Sequence, residues 1–140
     1  MITIGKPEIT CANGRARLSA RIEETGGGRE VPVKTLWYEV DARYAEGLSD
    51  RADAFVVALL YWAMIYHQDI TCLAPMTERL HYQVQEILCP VLAQNSTRFR
   101  APKITAPLTR EPLQTQGAVG SGCSGGVDSF HVIANFFEPA

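Results

Sequence analysis

A glycine- and serine-rich loop near the carboxyl end of the chain has the residue types best suited to chemistry. Residues 121–129 read SGCSGGVDS, with GAVG before them and the apolar run VIANFF shortly after. This order predicts a buried strand, a tight loop and a helix. Glycines let several backbone N–H groups converge, and a helix N-terminus adds partial positive charge. With the hydroxyls of Ser124 and Ser129 as further donors, the loop predicts a phosphate or pyrophosphate site.

Within this loop, residues 124–129 read SGGVDS. The six residues resemble the pyrophosphate-binding loop, S-G-G-x-D-S, of the ATP pyrophosphatases, a family of the adenine nucleotide alpha hydrolase superfamily. All five fixed positions match, and a preceding strand and a following helix are the context that supports such a motif. Enzymes of this superfamily use ATP to adenylate a carbonyl or carboxylate oxygen and release pyrophosphate. More loosely, the layout ahead of the loop is similar to bacterial proteins that carry an α+β region before it.

The resemblance implies ATP and Mg²⁺ as cofactors and a nucleotide as a partner. Position by position, it implies that Ser124, Gly125, Gly126 and Ser129 hold the ATP phosphates. Asp128 joins them as the implied catalytic residue, binding magnesium or orienting the pyrophosphate. We therefore expect an ATP-dependent adenylating enzyme of the ATP pyrophosphatase type. The alternatives are a non-catalytic module that binds a nucleotide or anion, and a structural interaction domain in which the loop is only a turn.

The position of the loop in the chain leads to an expectation about domains. In the family, further strands and helices follow the loop to hold the adenine and the second substrate, whereas only residues 130–140 follow it here. We therefore expect residues 1–112 to form an N-terminal α+β region and residues 113–140 to be the truncated start of a nucleotide-binding domain. Whether the protein is an enzyme then depends on a continuation past residue 140, and the chain alone is expected to be inactive.

The four cysteines do not form a second motif. Cys11, Cys72, Cys89 and Cys123 are scattered without a C-x-x-C pair, so we interpret them as free thiols rather than metal ligands. Cys123 beside the loop suggests a nucleophile. Such a nucleophile needs a histidine and an asparagine or aspartate further along the chain. Too little sequence follows Cys123 to supply them.

Histidines and paired carboxylates are the remaining candidates for chemistry. His67, His81 and His131 fall on three separate predicted elements, without the i,i+4 spacing of a zinc site. We interpret them as residues of helix surfaces or helix ends. Glu39 and Asp41 flank the end of a predicted strand, and we interpret them as a solvated pair.

The segments ahead of the loop predict a mixed α+β fold that begins with a β-hairpin and sheet. Asn13-Gly14 is a strong turn signal, and apolar residues alternate strictly from Ala16 to Ile22. This alternation predicts a strand over 15–23 in a hairpin. Residues 34–40 are rich in β-forming residues and predict a third strand.

Two helices that pack on this sheet are predicted next. The run AFVVALLYWAMIY is apolar nearly all round, which predicts a helix near 50–66, capped by Ser49 and covered on most sides. The segment DITCLA follows as a short buried strand. Apolar residues at helical spacing then predict a helix near 77–92, which Pro90 kinks or ends.

The loop itself is expected to lie between a last strand near 117–121 and a terminal helix. The helix sequence FHVIANFF carries more apolar surface than an end segment normally leaves in water. We therefore expect it to pack on the core, on a second copy of the chain or on further sequence. A homo-oligomer formed through this helix is one expected partner state.

Composition and charge narrow the class of protein. The chain has 140 residues, a net charge of −2 and no cluster of lysine and arginine, so we expect no nucleic-acid partner. It has no secretion signal, and its longest apolar run is shorter than the roughly 20 residues that span a bilayer. We expect a cytoplasmic protein without a membrane partner.

Overall fold

The computed structural model describes residues 1–25, 33–113 and 126–136, and it has the predicted mixed α+β fold. The strands are β1 (Ile2–Ile4), β2 (Glu8–Ala12), β3 (Arg15–Glu24), β4 (Lys34–Asp41), β5 (Ile70–Cys72), β6 (Met76–Thr77), β7 (Ile104–Thr105) and β8 (Leu108–Thr109). The helices are α1 (Asp53–Ile65), α2 (Glu78–Tyr82), α3 (Cys89–Asn95) and α4 (Val127–Phe136), with a 3₁₀ helix over Ala42–Gly47 and a π-helical segment over Gln83–Leu88.

Strand β3 organises a six-stranded mixed sheet. β4 pairs antiparallel with one edge of β3, and β2 and β1 pair antiparallel with successive parts of the opposite edge. β1 then pairs in parallel with β5, and β5 in parallel with β7. The short strands β6 and β8 form a separate parallel pair. The sheet is therefore antiparallel on the hairpin side and parallel on the other.

The predicted hairpin is confirmed. β2 and β3 are joined by Asn13 and Gly14, both with positive φ (51° and 73°), which is the backbone that a two-residue type I′ turn requires. Ala16, Leu18 and Ala20 on β3 are buried, as the alternation predicts. The strand predicted at 34–40 is also confirmed, as β4.

All helices of the core pack on one face of the sheet. Ile2, Ile4, Ile70 and Ile104 point to that face and are buried, together with the inner residues of α1 and of the helical run 78–95. The opposite face carries residues such as Arg17 and is polar and open. The domain therefore has two layers, with one sheet face in solvent.

Helix α1 lies where the sequence predicts it, but its N-cap and its exposure to solvent differ from the prediction. Its N-cap is Ala52 without a side-chain hydrogen bond, so the prediction of a Ser49 cap is wrong. The expectation that the helix is covered on most sides is also wrong, because Val57 and Tyr61 are more than half exposed. The reason is the two-layer architecture: the sheet covers only one side of α1, and the outer side faces solvent.

The second predicted helix is longer than expected. α2, the π-helical segment and α3 follow one another without a break to Asn95, so Pro90 does not end the helix. Pro90 lies in the first turn of α3, directly after the π-helical segment. Proline has no N–H to donate to the preceding turn, and a wider π turn just ahead of it accommodates that missing bond.

The structure describes only one of the two elements predicted near the carboxyl end of the chain. The strand predicted near 117–121 lies outside the described residues, whereas the terminal helix is confirmed as α4. Among the described residues, none of the helices has the length and apolar character needed to cross a membrane.

Candidate functional site

The described part of the SGGVDS motif forms the start of helix α4. The N–H of Phe130 donates to the carbonyl oxygen of Gly126 at 3.1 Å, so the first helical turn closes on the last glycine of the motif. α4 itself begins at Val127. The predicted helix after the glycine-rich loop is therefore confirmed. Ser124 and Gly125 lie outside the described residues.

Asp128 and Ser129 differ in their access to solvent. Asp128 lies in the first turn of α4 and is exposed, where a carboxylate interacts favourably with the helix dipole. Ser129, by contrast, is only 8% exposed. Of the predicted phosphate-binding residues that the structure describes, Gly126 and Asp128 are exposed and Ser129 is buried, and the roles predicted for all three stay predictions.

The predicted magnesium role of Asp128 rests on one carboxylate. In the described part of the chain, His, Cys, Asp and Glu side chains do not converge in groups of three or more that could hold a metal ion. A magnesium ion is typically held by one or two carboxylates, with phosphate oxygens and water completing its octahedron. The magnesium role of Asp128 therefore stays a prediction.

His67, His81 and the described cysteines lie outside α4, whereas His131 lies on α4, where its backbone carbonyl accepts a hydrogen bond from Asn135 Nδ2 at 2.8 Å. His81 Nε2 lies 3.0 Å from the carbonyl oxygen of Ile104, which connects α2 to the sheet. Cys72 and Cys89 are buried and Cys11 is exposed, and all three are free thiols, as predicted. Cys123 lies outside the described residues. Burial raises the pKa of the Cys72 thiol to about 11 and also raises the pKa of Cys89.

Glu39 departs from the expected solvated pair. Its Oε2 accepts hydrogen bonds from Arg17 Nε (3.1 Å) and Nη2 (2.9 Å), and its Oε1 accepts one from Arg15 Nε at 3.1 Å. These bonds, Arg17 first, hold the pKa of Glu39 below its usual range. Asp41, its supposed partner, instead accepts a hydrogen bond from the backbone N–H of Arg43.

Strand alternation gives a sequence signal for the cluster of Arg15, Arg17 and Glu39. Arg15 and Arg17 occupy the polar positions of the alternating strand β3, and Glu39 occupies a polar position of β4. The register that places Arg17 opposite Glu39 is a property of the β3–β4 pairing. Strand alternation predicts that the three side chains share a face, but the sequence does not state the register.

A cavity lies beside the segment that follows β8. This cavity, of about 440 Å³, is bordered by the segment 46–51 and by residues 111–113. Arg51 spans it, donating to Thr77 Oγ1 at 3.3 Å and to the carbonyl oxygen of Glu111 at 2.8 Å. Sequence reasoning did not find Arg51, because nothing in its neighbours along the chain predicts these two distant partners.

Comparison of the chain with protein-family models, with curated proteins and with solved structures gives no match. The resemblance of residues 124–129 to the pyrophosphate loop therefore rests on the sequence motif.

Proposed function

We propose that this chain belongs to an ATP-dependent adenylating enzyme of the ATP pyrophosphatase type, in which residues 124–129 bind the phosphates of ATP. One observation carries the proposal: the last glycine of the SGGVDS motif accepts the first hydrogen bond of α4. The motif thus leads directly into a helix N-terminus, which is where a phosphate loop has to end. A glycine-rich stretch elsewhere in a loop would not carry this argument.

Helix geometry explains why the arrangement suits phosphate. The first N–H groups of any helix lack the intrahelical acceptor that later ones have, and the helix dipole places partial positive charge there. At Gly126 a side chain would stand between the ligand and the backbone, so glycine permits close approach. The proposed role of this chain's backbone is therefore to bind and orient the phosphates.

Asp128 gives the proposed site a requirement for a cation. An exposed carboxylate beside a phosphate repels it unless a cation bridges the two. Asp128 would hold Mg²⁺, which would offset the negative charge of the phosphates. We therefore assign Asp128 to magnesium binding and to orientation of the pyrophosphate.

The proposal includes a cellular location and leaves one alternative function to be distinguished. The proposed location is the cytoplasm, which the unpaired Cys11, Cys72 and Cys89 support because a reducing compartment keeps thiols free. The alternative function, a non-catalytic nucleotide-binding module, shares the same loop chemistry. Release of pyrophosphate from ATP on addition of carboxylate or carbonyl substrates would distinguish an enzyme from such a module.

The proposed binding of phosphate by residues 124–129 is tested by titrating the 140-residue chain with pyrophosphate and with ATP, with and without Mg²⁺. Backbone amide NMR shifts are expected to concentrate at residues 122–130. Gly126→Val should abolish these shifts by blocking approach of the phosphate. Asp128→Asn should alter them mainly when Mg²⁺ is present.

Val127→Ala is the matched control, because Val127 is the variable position of the motif and is 86% exposed. It should bind like the wild type. No shifts at about millimolar ligand, the range of a weak site, or equal shifts in wild type and Gly126→Val, would contradict the proposal and favour a loop that is only a turn.

A further inference from the structure

The polar face of the hairpin contains a concavity that is independent of α4. Its volume is about 370 Å³. It is lined by Thr10, Ala12, Asn13, Arg15, Arg17 and Glu39. The strand register places these side chains on one face, since Thr10 and Glu39 both lie opposite Arg17 on the two neighbours of β3. Strand pairing alone thus brings two guanidinium groups to one hollow.

Both guanidinium groups are held in position before any ligand arrives. Arg17 makes two hydrogen bonds to one oxygen of Glu39, and its guanidinium carbon lies 4.5 Å from the ring centroid of Trp37. Arg15 bonds the other oxygen of Glu39 through Nε. A carboxylate and an aromatic ring therefore fix groups that otherwise have many rotamers, which lowers the entropy lost on binding.

Several arginine donors remain unused. Within residues 1–25, 33–113 and 126–136, no protein group accepts from either terminal nitrogen of Arg15 or from Nη1 of Arg17. The side chains of both arginines are about half exposed (51% and 48%), so these donors are accessible. Guanidinium nitrogens in this arrangement match the oxygens of a phosphate or carboxylate.

The charge balance at the concavity also favours an anion. Among the lining residues, Arg15 and Arg17 are cationic and only Glu39 is anionic, and Asp41, which lies opposite Arg15 on β4, is paired with Arg43. A pair of strands that needed only a cross-strand ion pair would be satisfied by Arg17 and Glu39. Arg15 adds a second cation to an acceptor that is already occupied, which a purely structural ion pair does not explain.

We propose that this concavity on β2, β3 and β4 is a binding site for the oxyanion of a small molecule, a phosphate or a carboxylate, held by Arg15 and Arg17. Glu39 and Trp37 act as positioning residues that orient the two guanidinium groups. The site is separate in sequence from the loop at 124–129 and does not depend on its proposed function.

The test uses the full chain with inorganic phosphate and, separately, acetate as probes, observed through the side-chain Nε–Hε NMR signals of arginine. The signals of Arg15 and Arg17 should shift on titration. Arg15→Gln and Arg17→Gln should each weaken binding about tenfold, the loss expected for one charge-assisted hydrogen bond. A response to phosphate alone identifies a phosphate ligand, and a response to acetate alone identifies a carboxylate ligand.

Arg21→Gln is the matched control, because Arg21 lies on the same strand and face but pairs with Glu23 outside the concavity. It should bind like the wild type. Gly126→Val should also retain the shifts of Arg15 and Arg17, which separates this site from the loop. If Arg17→Gln disturbs the sheet, Arg15→Gln still decides the matter, since Arg15 makes only one hydrogen bond here. Absence of shifts with both probes, or equal weakening by Arg21→Gln, would overturn the proposal.

Discussion

At the scale of single residues, the carboxylate of Glu39 takes its properties from two arginines on the neighbouring strand. Hydrogen bonds from Arg17 and then Arg15 lower its pKa from the usual 4.5. A lowered pKa in the folded state means a contribution to stability that is present above pH 4.5 and is lost as the pH falls through the folded pKa. Acid should therefore loosen the link between β3 and β4.

We expect Arg17→Gln to raise the pKa of Glu39 towards 4.5, because it removes the stronger of the two influences. The measurement is a ¹³C NMR titration of the Glu39 carboxyl carbon. In Arg21→Gln, which leaves the cluster intact, the titration should be unchanged. An unchanged Glu39 titration in Arg17→Gln would show that the ion pair does not form in solution.

The buried cysteines give a second prediction for single residues. The pKa of Cys72 is raised to about 11, so at pH 8 only about 0.1% of it is the reactive thiolate. Cys89 is shielded in the same way. Brief treatment with iodoacetamide should therefore label Cys11 and leave Cys72 and Cys89 unmodified, as mapped by peptide mass spectrometry. In denaturant all three should react; equal labelling of Cys72 and Cys11 in the folded protein would contradict the described core.

At the scale of elements, the hairpin turn depends on the backbone of Gly14. A Cβ at Gly14 would meet nothing within 4 Å, but its φ of +73° is unfavourable for other residues. Gly14→Ala should therefore cost about 1 kcal/mol of unfolding free energy. Gly47→Ala is the control, because a Cβ at Gly47 would also meet nothing within 4 Å and the φ of Gly47 is not positive. It should change stability by less than about 0.5 kcal/mol in urea denaturation, so equal losses in both variants would exclude the backbone explanation.

Helix α1 contains a matched pair of valines that tests which of its faces is inside. Val56 is fully buried, whereas Val57 is 55% exposed. Val56→Ala removes two buried methyl groups and leaves a cavity, and it should cost about 2 kcal/mol. Val57→Ala should cost less than about 0.5 kcal/mol. Comparable losses on chemical denaturation would mean that the outer face of α1 is covered in solution.

At the scale of the whole molecule, exposed apolar side chains favour self-association. Val127 and Phe130, three residues apart on α4, are 86% and 61% exposed, and exposed apolar patches commonly mark contacts between proteins. We expect concentration-dependent association in analytical ultracentrifugation, with Phe130→Glu raising the dissociation constant about tenfold or more. Val57→Glu, on the outer face of α1, is the comparison variant. If it disrupts association and Phe130→Glu does not, the contact lies on α1 instead.

Local sequence rules account for several elements of this protein, among them the hairpin, β4 and the terminal helix α4. Asn13-Gly14 specifies its turn because few residues adopt positive φ, and the alternation that follows it makes one face of β3 apolar. The SGGVDS motif likewise predicts the start of α4, because glycines and a first-turn acid are local signals. Such signals act between neighbours in the chain and need no knowledge of the rest of the fold.

Only the tertiary structure decides the features that depend on distant partners. The apolar run of α1 does not reveal that a single sheet covers it on one side, and so it does not predict an exposed Tyr61. Glu39 has two arginine partners because of the β3–β4 register, and Arg51 has Thr77 and Glu111 because separate segments meet there. Strand order and layer number set these contacts, and both arise from packing among segments far apart in sequence.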